Sequence, residues 1–519
     1  MARTTSGEGE RMRGRGGARW RTEAAGWVAA AAISLGVAGI VASVSSNLLF
    51  TDGDSLIVAM VVRSMALGQA QDWAMSPVLF LPEIAVYALL SLLGLGLRAT
   101  IVLNAVVNLL ALYGALRIVA GRARPGRAPI TGSLVAFGLA GVLALLEGSA
   151  QRDGAQFMTL FLTTTYYSAT VIAVLLAVGI CRRVLEGARA VPAAAVLAVV
   201  AAVSVLSNPL FAVWAVLPVG AVLAILVVVR RIAWRPAAWL VGALVVGSGV
   251  GYLGRGAFAG TIVAQSDNYF RIGQFDRSAA AYGQALDAMA STWHGALWVA
   301  VVVVLWVVAG AGAALAWRRR DAGLLAVTGV ATLGPLIVTA GAFALGTDAI
   351  RYLQPWLFLP LGAAAALLAV VFVPTRRGVR RVLAGGAAVV VVGSVVVGAP
   401  SAVSAASAVN RDLSCVDTWV QDSGRTGAGQ FWTVRAPKAN LADPTRLIQV
   451  DHTLRVYTWL TNRTDAEGAQ VTFLVQDAQS PAFQLPDGLT TADATAVACG
   501  RYTIYDFGDR VLPLGPPRN

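Results

Sequence analysis

The sequence predicts an α-helical polytopic membrane protein of about 11 spans with a C-terminal α/β or β-rich domain. Three observations predict it. The 519 residues are 57% hydrophobic and only 13% charged, where a soluble chain carries roughly 25% charge. Apolar runs of about 20 residues, the length a helix needs to cross a bilayer, recur up to position 398. Beyond position 400 the composition turns polar and aromatic, with short alternating runs at 446–450, 453–460, 470–475 and 502–507 that read as strands.

The elements follow in order. Residues 1–25 are Arg-rich and without periodicity, so they are expected to form a disordered cytoplasmic tail. The run 26–50 is too long for a signal-peptide core and is the first span, running from inside to outside. Arg clusters then punctuate the chain at 122–127, 182–189, 230–235, 318–320 and 376–381. Short basic loops between apolar runs are what the positive-inside rule produces. If all five clusters are cytoplasmic, each interval between them must hold an even number of spans. The intervals 130–180, 191–229, 236–316 and 323–373 each divide in two, with breaks at 147–153, 207–209, 255–292 and 347–348.

Between Asp54 and Arg122 a single crossing is required, yet two apolar segments occur. The segment 100–120 is assigned as the span, and 78–97 and 55–72 as helices lying at the outer interface. The segment 382–398 is the last span. The transmembrane domain is therefore 26–398, and 400–519 is expected as an extracytoplasmic soluble domain on a multi-pass plasma-membrane protein with a cytoplasmic N-terminus.

The net charge of +13 would suit a nucleic-acid partner, but its distribution in loops between apolar runs argues against one and for a lipid bilayer. Three cysteines are too few for a metal cluster. Cys415 and Cys499 both lie in the polar C-terminal part, and if that part is outside the cell they can pair.

Ionisable residues are scarce within the assigned spans, which argues against ion-coupled transport. Polar residues gather at the expected outer ends instead: Asp52, Asp54, Glu83, Glu147, Arg152, Asp153, Asn208, Asp267, Arg271, His294, Asp348 and Arg351. Two stretches stand out. Thr51-Asp52-Gly53-Asp54-Ser55 puts two carboxylates where the first span leaves the membrane. Asp348-Ala-Ile-Arg351-Tyr352-Leu-Gln-Pro355 opens a late span with a guanidinium suited to a phosphate. The plainer readings are a solvated turn for the first, and an Arg351–Asp348 salt bridge or interfacial anchoring by Tyr352 and Trp356 for the second. In the C-terminal part, Trp419, Trp432, Tyr457 and Trp459 could stack on sugars, although such residues are more often core.

These two stretches resemble the GT-C superfamily of polytopic glycosyltransferases, which use polyprenyl-phosphate-linked sugars. In that family a catalytic acid follows the first span, interfacial helices come next, and many members carry Arg-Tyr-x-x-Pro near a late span, matched here by Arg351, Tyr352 and Pro355. Leu81-Pro82-Glu83 stands where some members have Lys-Pro-Pro, and there is no Trp-Trp-Asp motif. The resemblance implies a polyprenyl-phosphate sugar donor and a cell-envelope glycan or protein acceptor. It makes Asp52 or Asp54 the base, and Arg351 the group that stabilises the departing lipid phosphate. Tyr352, Glu83 and His294 are further candidates for substrate or phosphate binding. Two carboxylates could also hold a divalent cation, though no metal set is predicted. The alternative is a non-catalytic protein for envelope glycan export or scaffolding, with the C-terminal domain as its binding module.

Overall fold

The computed structural model describes residues 6–147, 154–263, 273–371 and 377–518. Arg152, Asp153, Asp267 and Arg271, singled out above, lie outside them. Among the described residues ten helices are long and apolar enough to cross a membrane: Trp20–Val44, Leu97–Val119, Pro129–Leu146, Ser168–Leu185, Ala190–Ser207, Trp234–Phe258, Trp293–Arg319, Ala322–Ala344, Ile350–Val371 and Ala388–Ser423. A further apolar helix, Ala212–Val228, is shorter; its first turn, Ala212–Val216, is π-helical. The chain is thus predominantly helical and of polytopic membrane type.

The first helix begins at Ser6 and runs to Val44, so residues expected to be an unstructured tail continue the span. Once a helix is nucleated, each added residue gains a hydrogen bond at little further cost. Its partner is the last long helix, Arg377–Ser407. The two approach through small residues: a Cβ on Gly39 would overlap the Gly398 carbonyl. The helices Ala190–Ser207 and Trp234–Gly254 meet the same way, with Gly247 and Gly251 against the Ala198 and Ala202 carbonyls. Lipid provides no hydrophobic drive between helices, so close backbone packing substitutes for it.

The two ends of this bundle differ chemically. At one end Arg127 pairs with Glu186 (2.6 Å) and Asp321 (2.7 Å), Arg182 pairs with Glu186 (2.9 Å), and Arg117 pairs with Glu23. Arg231 stacks on Trp317 there, which joins two of the Arg clusters. The Ser168–Leu185 helix links that end to the opposite one, about 27 Å away at 1.5 Å per residue. Tyr167 precedes the helix and Glu186 follows it.

The opposite end carries the C-terminal region. Seven strands form one mixed sheet in the order β7-β8-β6-β2-β3-β4-β9. These are β2 (Thr426–Gln430), β3 (Leu447–Val450), β4 (Arg455–Tyr457), β6 (Val471–Gln476), β7 (Thr495–Cys499), β8 (Tyr502–Asp506) and β9 (Gly515–Arg518). Central β2 is parallel to both β3 and β6, and the helix Phe431–Asn440 makes the β2-to-β3 crossover. Cys415 and Cys499 form a disulfide, with Cα atoms 5.4 Å apart, tying the helix Arg411–Ser423 to the edge strand β7.

This region is not an appendage. A second sheet pairs β1 (Trp73–Ala74) with β5 (Thr461–Asn462) antiparallel. Arg463 bridges to Asp72 at 2.7 Å, and Arg63 donates to the Ala439 and Leu441 carbonyls. One contiguous apolar core runs from the first span through Phe431, Trp459 and Phe473. The helix Ile57–Ala66 lies within 55–72, but it is covered: Ile57 to Val62 are all buried. The helix Leu81–Ser91 lies within 78–97.

Candidate functional site

The loop Thr51–Ser55 follows the short helix Ser46–Phe50, whose C-terminus is closed by the Thr51 and Asp52 amides on the Asn47 carbonyl. Asp52 Oδ1 accepts from Ser55 N (3.0 Å) and Ser55 Oγ (3.1 Å). This is the local bond that lets Asp favour a turn over a helix, and it leads the chain into Ile57–Ala66. Asp54 lies two residues on.

A Thr-rich turn faces this loop. Thr163 Oγ1 accepts from Tyr166 N (3.3 Å), and Thr164 Oγ1 donates to the Ser55 carbonyl (2.6 Å). The turn delivers Tyr166, whose hydroxyl bonds Asp52 Oδ1 (3.2 Å) and Asp54 Oδ2 (3.4 Å). Burial pushes the Tyr166 phenol well above its usual range. Asp52 and Asp54 push it the same way, while Arg351 opposes them. Tyr166 therefore remains a donor to the carboxylates. No spacing rule pointed to it; the nearest signal was the Thr163–Tyr167 run of hydroxyl side chains.

Arg351 sits on a 3₁₀ turn, Ile350–Leu353, ahead of the helix Pro355–Val371. Its Nε donates to the Tyr167 hydroxyl (3.3 Å), and its guanidinium lies 5.8 Å from the ring centroids of both Tyr166 and Tyr352. Tyr352 also stacks on Tyr167, with centroids 6.3 Å apart. Asp348, the expected salt-bridge partner, instead bonds Arg277 at 2.8 Å.

These groups surround a cavity of about 300 Å³. Asp54, Thr165, Tyr166, Tyr167, Arg351 and Tyr352 are among its polar lining residues. Leu210, Val213, Trp214, Val338, Ala342 and Leu345 are among its apolar ones, and Trp459 and Leu460 come from the C-terminal region. Asp52 is not among the lining residues. The geometry thus separates two carboxylates that sequence spacing left equivalent: Asp54 faces the cavity and Asp52 shapes the loop.

Two further features mark the cavity. Thr165 Oγ1 and Trp214 Nε1 are buried without a hydrogen-bond partner among the described residues, and buried polar atoms are rarely left so. Of the seven non-glycine residues with positive φ among those described, three line this one cavity: Phe80 (+52°), Tyr167 (+71°) and Leu460 (+50°). Such backbone costs about 1–3 kcal/mol per residue and clusters where function demands it. The π-helical turn at Val213 and Trp214 belongs to the same pattern.

Glu83 and His294 stand elsewhere. Glu83 is buried, and its Oε1 accepts from Ala169 N (3.2 Å) at the start of Ser168–Leu185. Burial raises it to about 7, against two backbone bonds that lower it. It holds the helix that follows Tyr167 and does not line the cavity. His294 Nδ1 bonds the Leu146 carbonyl (3.1 Å), next to Glu147. Glu147 in turn accepts from Met158 N (2.9 Å) and Thr159 N (2.7 Å), capping the helix Phe157–Leu162 that leads to Tyr166. Burial pushes Glu147 up to about 8. Among the described residues no three His, Cys, Asp or Glu side chains gather as metal ligands.

The sequence matches no protein-family model, and no curated protein aligns with it significantly.

Proposed function

We propose that this protein is a membrane glycosyltransferase of GT-C type, moving a sugar from a polyprenyl-phosphate carrier to a cell-envelope acceptor at the outer face of the plasma membrane. The observation that carries the proposal is the cavity itself. It brings Asp54 and Arg351, nearly 300 positions apart in the chain, into one lining that is otherwise largely apolar. That pairing suits an amphiphile whose charged head must be held beside a base.

In the proposed reaction the acceptor hydroxyl gives its proton to Asp54. Its oxygen forms the new bond to the sugar's anomeric carbon as the bond from that carbon to the carrier's phosphate oxygen breaks. The electron pair leaves with the polyprenyl phosphate, and Arg351 offsets the charge that develops there. Tyr166, bonded to both carboxylates, orients Asp54. The unpaired Thr165 hydroxyl is a donor available to the phosphate or sugar, and the wall of Leu210, Val213, Val338 and Leu345 suits the first isoprene units.

The test is release of polyprenyl phosphate from a panel of polyprenyl-phosphate-linked hexoses and pentoses by purified protein in nanodiscs, alongside envelope glycan analysis of cells. Release with at least one donor that disappears in Asp54→Asn and in Arg351→Ala is expected. Unchanged glycans and no release with correctly inserted protein would overturn the proposal in favour of export or scaffolding.

A further inference from the structure

We infer that the C-terminal region is part of the reaction centre rather than an appended module, and that Arg435 is its positioning residue, stapling the backbone between the two carboxylates to Leu460 in the cavity lining. The inference deepens the proposed function and rests on it for its catalytic consequence.

Arg435 is 0% exposed and sits on the crossover helix Phe431–Asn440. Its Nε donates to the Gly53 carbonyl at 2.7 Å, and its Nη1 to the Leu460 carbonyl. Gly53 is the residue between Asp52 and Asp54. Leu460 is one of the three positive-φ residues that line the cavity. A single guanidinium therefore spans the loop that carries the base and a strained residue of the cavity lining. Its planar fork is what allows two divergent carbonyls to be held at once, which an ammonium cannot reproduce. Gln449 supports the same segment, donating to the Trp459 carbonyl at 2.7 Å.

The fit around Gly53 is close. A Cβ there would lie 3.1 Å from Phe431 Cε1, 3.1 Å from Trp432 Cε3 and 3.3 Å from Arg435 Cδ, so the loop backbone rests directly on the helix. A buried guanidinium is costly unless anions face it. Burial pushes Arg435 down to about 10, and Asp54 and Asp52 act against that cost without cancelling it. Arg63, the Arg463–Asp72 pair and the β1–β5 pairing also join the C-terminal region to the helical body, so docking has contacts besides Arg435.

The test compares Arg435→Met, which keeps volume and removes charge, with Arg435→Lys, in full-length protein in nanodiscs. Hydrogen exchange reports the Thr51–Ser55 amides and, separately, the β1–β5 amides; steady-state kinetics use whichever polyprenyl-phosphate-linked sugar the wild type consumes. Loop exchange is expected to rise about tenfold or more in both variants with β1–β5 protection unchanged. The kcat should fall about 10²-fold, the scale of a misplaced catalytic group, with KM for the donor within a few-fold and only partial rescue by Lys. Loss of β1–β5 protection in both variants would make Arg435 a docking residue and overturn the inference, as would an unchanged loop. A wild type that consumes no donor defeats the transferase reading, and loop exchange then decides the positioning role alone.

Discussion

Replacing Asp54 by Asn and Asp52 by Asn should have unequal effects, and the inequality follows from geometry. Asp54 lines the cavity with Arg351, whereas Asp52 is engaged by Ser55 N at 3.0 Å and Ser55 Oγ at 3.1 Å. An Asn at 52 keeps an amide oxygen for both Ser55 donors, so the loop survives. What it loses is charge in the bond to the Tyr166 hydroxyl, where a charged partner makes a hydrogen bond worth about 1.5–3 kcal/mol against about 1 for a neutral one. At most about 2 kcal/mol of orientation is lost, which is about 30-fold at 1.36 kcal/mol per tenfold. An Asn at 54 removes the proposed proton acceptor, worth about 10²–10⁴-fold, or about 3–5 kcal/mol of barrier. The assay is single-turnover release of polyprenyl phosphate in nanodiscs, with membrane insertion checked for each variant. Equal losses, or a larger loss at Asp52, would refute the assignment of Asp54 as base.

Other outcomes follow from particular contacts. Arg351→Lys retains charge but loses the planar fork and the Nε bond to Tyr167 (3.3 Å); transfer should drop about 10²-fold while thermal stability changes little. Glu147 is raised from an ordinary 4.5 to about 8 by burial, so the folded state binds the extra proton. Its stabilising effect is complete below about pH 4.5 and is lost as pH rises through 8. Thermal unfolding between pH 5 and 9 should show falling stability in the wild type and a flatter slope in Glu147→Gln. The Cys415–Cys499 bond spans 84 positions, and chain entropy puts its contribution at about 4–5 kcal/mol. Reduction, or Cys415→Ser, should lower the melting temperature of the C-terminal region by several degrees, which differential scanning fluorimetry with and without reductant will detect.

The helical membrane body was legible in the sequence because its cause is local and repetitive. Apolar runs, Arg clusters and breaks at 147, 208 and 347 are each visible in a window of about 20 residues, since a bilayer imposes one length and one polarity pattern on every crossing. The same logic marked Asp52, Asp54 and Arg351, charges placed beside hydrocarbon. Tertiary structure decided the rest. Choosing Asp54 over Asp52 required knowing which carboxylate is consumed by Ser55 and which faces the cavity, and two residues one position apart look identical to any pattern. Tyr166 and Arg435 escaped notice because a tyrosine in a Thr-rich run and an arginine in a polar domain are ordinary there. Each becomes significant only through partners more than 100 positions away, Asp52 and Gly53. The C-terminal region read as a separate module because its composition changes at 400, yet composition reports solvent and not docking. The bonds from the Arg63 and Arg435 guanidinium groups and the β1–β5 pairing that join it to the helical body all end on main-chain carbonyls, which every sequence possesses and no sequence reveals.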